Sequence, residues 1–147
     1  MPSRLRAGLA VVIALILVAG CRSALAQPRS GPQAEPLARG RYLGETVAVC
    51  GACHNTFGEG MRPVPGMALA GGRVFEERGF RAVAPNITPD RETGIGGWTD
   101  AQIAAAIRDG HRPDGSLIGP PMPMESYRGI SDRDLAALVA WLRTVPP

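Results

Sequence analysis

The chain has 147 residues, with 16 basic and 13 acidic side chains and a formal net charge of +3, which leaves room for one modest core. Every basic residue is arginine, none is gathered into a basic run, and no aromatic platform accompanies them, so nucleic-acid binding is excluded as a function class.

The N-terminus carries Arg4 and Arg6 without an acid, then an apolar run from Gly8 to Gly20, then Ala24-Leu25-Ala26 before Gln27. This pattern predicts a secretory signal over residues 1–26. The apolar run has thirteen residues, short of the roughly 20 needed to span a bilayer. A second cleavage stays open. Val18-Ala19-Gly20-Cys21 resembles a lipoprotein processing box, which would place the signal at residues 1–20 and a lipid on Cys21. Cleavage after Ala26 removes Arg4, Arg6 and Arg22 and leaves 13 basic against 13 acidic residues, a neutral mature chain. Localisation in a periplasm follows as the expectation, either soluble or lipid-anchored to a membrane.

Residues 27–36 hold three prolines, a glycine and a serine, a composition expected of a flexible linker. One domain over 37–147 follows. A first helix is predicted from Pro36 to Val49, with Gly40 and Gly44 forming a smooth patch that admits a second helix. A second is predicted from Thr99 to Asp109, where Thr99 and Gln102 have capping-box spacing and Gly110 closes the helix. A third is predicted from Asp132 to Thr144, with Ser131 as N-cap and Leu135, Leu138, Val139, Trp141 and Leu142 facing a core. Trp141 is expected to cross the Gly40 and Gly44 patch. Between the first two helices, residues 55–98 are rich in Gly and Pro and show no sustained period. So long a loop in a compact domain implies a large cofactor around which to wrap. The expected fold class is therefore all-α: three main helices plus long loops wrapped around that cofactor.

One covalently bound haem is inferred from Cys50-Gly51-Ala52-Cys53-His54. In a C-x-x-C-H motif, two thiols form thioethers to one edge of the ring and the adjacent imidazole ligates the iron. The rivals fit less well. No βαβ pattern supports a redox dithiol, and His111 is the only further Cys or His beyond the motif, which leaves zinc short of four ligands. A simple disulfide gives His54 no role. For the sixth iron position the candidates are Met61, Met67, Met122 and Met124. Met122 is favoured because Gly119-Pro120-Pro121-Met122-Pro123-Met124 predicts a stiff extended strand able to hold a sulfur in place. Met124 is the fallback, expected to point the same way as Met122, and His111 is a weaker one.

Arg39-Gly40-Arg41-Tyr42-Leu43, the C-x-x-C-H motif, Ala70-Gly71-Gly72, Pro85-Asn86-Ile87-Thr88-Pro89-Asp90, Glu92-Thr93-Gly94-Ile95-Gly96, Trp98, Asp114-Gly115, Met122-Pro123 and residues 131–146 follow one another in an order that resembles a known family. It is that of the single-haem domains in the cytochrome c subunits of bacterial membrane-bound alcohol, aldehyde and gluconate dehydrogenases, a branch of the class I cytochrome c fold. The resemblance implies one haem c on Cys50 and Cys53, with His54 and Met122 as axial ligands. It also implies a one-electron carrier, not an enzyme, that accepts electrons from a dehydrogenase and passes them to an oxidase or another cytochrome. Two departures stand out: the family usually has an aromatic residue where Met124 stands, and its larger members carry three haem domains and an anchor. An open sixth position would instead suit a haem enzyme or a gas sensor. Asn86-Ile87-Thr88 spells a glycosylation sequon but is expected to serve the loop structurally.

Overall fold

The computed structural model of the protein describes residues 34–147; the signal expected over 1–26, its alternative at Cys21 and most of the expected linker lie outside the described residues. In chain order the elements are α1 (Ala34–Tyr42), α2 (Gly51–His54), β1 (Val74–Glu77), β2 (Phe80–Val83), α3 (Asp100–Asp109), α4 (Met124–Tyr127) and α5 (Asp132–Leu142).

Helix α1 starts at Ala34, so residues 34–36 are helical and the expected linker over 27–36 is corrected at its end. Pro36 is tolerated because the first helical turn has no intrahelical use for its missing N–H. Beyond Tyr42 the helix does not continue to Val49 as predicted. It widens into a π-turn over Leu43–Val47, in which the Ala48 N–H donates to the Leu43 carbonyl at 2.7 Å. Val49 then takes a left-handed φ of 49°, and the Cys50 N–H reaches back to the Gly44 carbonyl at 2.8 Å.

The glycine patch has the partner the spacing predicts. A β-carbon on Gly40 would overlap the Ala137 carbonyl oxygen, and one on Gly44 would overlap the Trp141 ring, so α1 and α5 meet in direct backbone contact. Arg39 grips Asp134 through two hydrogen bonds of 2.8 and 3.0 Å at the rim, and Arg133 meets Glu35 at 2.5 Å. Exposed pairs of this kind contribute little. The larger share comes from the core of Leu43, Leu69, Ile95, Ile103, Leu138, Val139, Trp141 and Leu142, where a fully buried aliphatic side chain contributes roughly 1.5–3 kcal/mol.

The ends of α3 and α5 follow their capping residues. Thr99 and Gln102 form the reciprocal capping box, Gly110 closes α3 in the left-handed region at φ 73°, and the Ser131 hydroxyl accepts the Asp134 N–H at 3.1 Å. Helix α5 stops at Leu142, two residues before the predicted end. Residues 55–98 are mostly loop, but β1 and β2 pair as an antiparallel hairpin with Val74 opposite Val83 and Glu77 opposite Phe80. The all-α expectation is thus corrected to a helical chain with one small sheet. Both hairpin strands are largely exposed, so they lack the alternation that would have announced them. The loop before α3 is fastened to α5 by Arg143, which donates to the Ile95 carbonyl at 3.3 Å, the Trp98 carbonyl at 2.5 Å and the Asp100 carboxylate at 2.9 and 3.0 Å. Trp98 packs half-buried against the core. Among the described residues no helix is long and apolar enough to cross a membrane.

Candidate functional site

Cys50, Cys53 and His54 share one turn. Cys50 caps α2, His54 ends it, and the Cys53 and His54 N–H groups both donate to the Cys50 carbonyl, at 3.2 and 2.9 Å. The two thiols are half-buried and not bonded to each other. Burial pushes the Cys50 thiol up to about 11, which disfavours the thiolate that a reactive dithiol needs. The His54 imidazole is 8% exposed, and burial lowers its pKa, only partly offset by a backbone hydrogen bond. It is therefore held neutral.

That hydrogen bond fixes the ring. His54 Nδ1 lies 2.9 Å from the Pro85 carbonyl oxygen, which can only accept, so the proton sits on Nδ1 and the Nε2 lone pair is free. Nε2 has no hydrogen-bond partner among the described residues, yet no buried side-chain nitrogen or oxygen there is left sealed and unsatisfied. The nitrogen is therefore not fully sealed, and its lone pair is unused by the protein.

The loop after α2 brings Pro85 to the ring. Asn55 Oδ1 accepts the Leu69 N–H at 2.9 Å, the Thr56 hydroxyl donates to the Gly71 carbonyl at 2.9 Å, and the Gly71 N–H donates to the His54 carbonyl at 2.6 Å. Gly71, at φ 80°, lies so close to residues 84–86 that a β-carbon would stand 2.6 Å from the Pro85 carbonyl carbon and the Asn86 nitrogen. Downstream, Asn86 accepts the Thr88 N–H at 2.8 Å and donates to the Thr93 hydroxyl at 2.9 Å. Asp90 accepts from the Thr93 N–H at 2.6 Å, the Thr93 hydroxyl at 2.9 Å and the Glu92 N–H at 3.0 Å; the Thr93 bonds foremost hold its carboxyl below the usual range. The Thr88 hydroxyl in turn accepts the Asp90 N–H at 3.4 Å, so both side chains brace this loop.

Met122 is half-buried and lines an open groove of about 480 Å³ with Gly110, His111, Leu117, Ile118 and Met124. The strand expected there is absent. Pro123, at φ −83° and ψ 64°, forms an inverse γ-turn in which the Met124 N–H donates to the Met122 carbonyl at 2.9 Å. Met124 begins α4, lies over Gly110 and lines the same groove as Met122. Met61 and Met67 are exposed at 54% and 43%. His111 is exposed, its backbone bridged to Leu117.

One residue with no sequence signal of its own joins the two halves. Tyr127, at the end of α4, donates its hydroxyl to the Ala48 carbonyl at 3.3 Å, two residues before Cys50. Burial foremost, and then its nearness to Cys50 and Cys53, raise the phenol pKa. Nothing local in the sequence announces a contact across 79 positions.

Two thiols and an imidazole with a free Nε2 on one turn suit a covalently tethered, metal-centred cofactor. The sequence model of the family described as Cytochrome c matches residues 38–146. A nicotinate dehydrogenase subunit of Pseudomonas putida is 38% identical over 111 residues, covering 76% of this chain and 9% of that protein. The Diheme cytochrome c-type of Cereibacter sphaeroides is 34% identical over 152 residues, covering 97% of this chain and 50% of that protein. The Fructose dehydrogenase cytochrome subunit of Gluconobacter japonicus is 35% identical over 108 residues, covering 74% of this chain and 21% of that protein. The chain thus spans half or less of the length of these relatives.

Proposed function

The chain belongs to the cytochrome c family, and from that premise we propose that it is an exported carrier of single electrons, holding one haem c through thioethers at Cys50 and Cys53. The observation that carries this reading is the His54 ring, buried, neutral and locked by Pro85 with Nε2 free, one residue beyond the second thiol. His54 Nε2 and the Met122 sulfur would hold the iron, and the haem would supply a one-electron couple. Pro85 holds the imidazole from rotating, and the Asn86–Thr93 hydrogen bonds hold Pro85. With both residues on the iron, the protein would transfer electrons without binding a substrate.

A single haem accords with three cysteines in these 147 residues, since a second doubly tethered haem would need four thiols. The relatives' roles in dehydrogenases support a dehydrogenase as electron donor, with an oxidase or another cytochrome of a respiratory chain as acceptor. Location in a periplasm, soluble or held through lipid on Cys21, follows from the N-terminal sequence.

The test is the intact mass of the denatured protein made in a host competent for haem attachment. A gain of one haem in the native sequence, and none when Cys50 and Cys53 are both changed to Ala, is the expected result. A wild-type protein that releases its haem on denaturation would refute covalent attachment. Ready binding of carbon monoxide or cyanide at the iron would favour an open-site enzyme or gas sensor.

A further inference from the structure

We propose that Tyr127 is a positioning residue that ties the segment bearing Met122 to the turn bearing Cys50, Cys53 and His54, and so keeps the Met122 sulfur on the iron. The inference rests on the axial-ligand reading given above and deepens it.

The last carbonyls of a helix have no intrahelical donor and must be satisfied from elsewhere. Around Cys50 the backbone is closely accounted for: Leu43 and Gly44 carbonyls accept from Ala48 and Cys50, and Val49 and Cys50 carbonyls accept from residues 52–54. The Ala48 carbonyl lies in the middle of this set and takes its hydrogen bond from Tyr127. It also lies next to Val49, whose left-handed φ turns the chain into the attachment site. The tyrosine is thus fastened to the strained hinge from which the haem-bearing turn begins.

At its other end Tyr127 is five residues from Met122 in a segment with little freedom. The γ-turn at Pro123 fixes Met124 relative to Met122, the Arg128 N–H closes α4 on the Met124 carbonyl, and the Ile130 N–H donates to the Tyr127 carbonyl at 3.0 Å. Met124 seats this segment on Gly110 at the end of α3. Tyr127 seats it on Ala48. With both contacts made, the sulfur of Met122 is held by backbone geometry and does not rely on its own flexible side chain. Loss of the hydroxyl removes one of the two seats, so the sulfur leaves the iron more often and an added ligand finds the position open.

The experiment uses oxidised, haem-loaded protein and follows displacement of the methionine by added imidazole, together with the weak long-wavelength absorption band of sulfur-to-iron ligation. Tyr127→Phe keeps the ring and should keep full haem loading, yet bind imidazole about threefold to fivefold faster, the effect of losing one neutral hydrogen bond. Arg143→Ala, which loosens the loop fastening away from Ala48, should lower global stability without changing that rate. An unchanged rate in Tyr127→Phe, or the same acceleration in both variants, overturns the proposal. If wild type itself lacks the long-wavelength band, the Met122 reading has failed instead. Should Tyr127→Phe not load haem, wild type labelled with fluorotyrosine serves: the Tyr127 resonance must shift when imidazole binds while that of Tyr42 does not, and a silent Tyr127 signal rejects the coupling.

Discussion

The Met124 side chain lies over Gly110, close enough that a β-carbon on the glycine would stand 3.2 Å from Met124 Cε. Met122, the ligand proposed above, lines the same groove, so the two thioethers are told apart by substitution. Met124→Leu should keep the long-wavelength band of the oxidised protein, whereas Met122→Ala should lose it and bind cyanide readily. Absorption spectra of the two variants decide the assignment, and loss of the band in Met124→Leu would reverse it.

The crossing of α1 and α5 has no room for a methyl group at Gly44. Gly44→Ala should destabilise the protein by about 3 kcal/mol, the upper part of the range for overpacking, because the obstacle is the Trp141 ring. Gly97→Ala meets nothing within 4 Å and should stay within about 0.5 kcal/mol of wild type. Denaturant midpoints at matched slopes measure both, and equal effects would show that the crossing is looser than described.

Val49 is a β-branched residue in the left-handed region, 47% exposed and directly before the attachment turn. A left-handed conformation costs a residue with a β-carbon roughly 1–2 kcal/mol that glycine avoids. Val49→Gly should therefore stabilise the protein by about 1 kcal/mol after allowing for glycine's greater freedom when unfolded. A lower denaturant midpoint in this variant would contradict the strain.

The Asp134 carboxyl is held below its usual range, first by its hydrogen bond to Arg39 and then by the attraction of that charge. A carboxyl with a depressed folded pKa stabilises the protein above its unfolded value, near 3.9, and this contribution is lost as the pH falls through the lower folded value. Wild type should therefore be more stable than Asp134→Asn at pH 6, and the gap should close as the pH falls through the lowered folded value. Added salt should narrow it at pH 6, since Arg39 is well exposed. Thermal midpoints across the pH range measure the gap, and a constant difference would assign it to packing.

The features legible in the sequence are those written in neighbouring residues. Cys50, Cys53 and His54 form a motif, Thr99 with Gln102 and Ser131 mark helix starts, Gly110 marks a helix end, and the glycine pair four apart marks the crossing. The missed features depend on partners without local identity. Pro85 acts on His54 through a backbone carbonyl 31 positions away, and Tyr127 reaches a carbonyl 79 positions away. Neither spacing has a period, and a carbonyl is common to every residue. The hairpin over 74–83 escaped because both of its faces are wet, and the γ-turn at Pro123 escaped because prolines on either side of a residue fit several extended and turned conformations.

The Arg39–Asp134 clasp spans 95 positions, and α1 stands immediately ahead of the cysteine-bearing turn. The contact that pins α1 is therefore among the last the chain can make, and a chain ending ahead of Ser131 would leave the Gly40 and Gly44 face beside the cysteine-bearing turn uncovered.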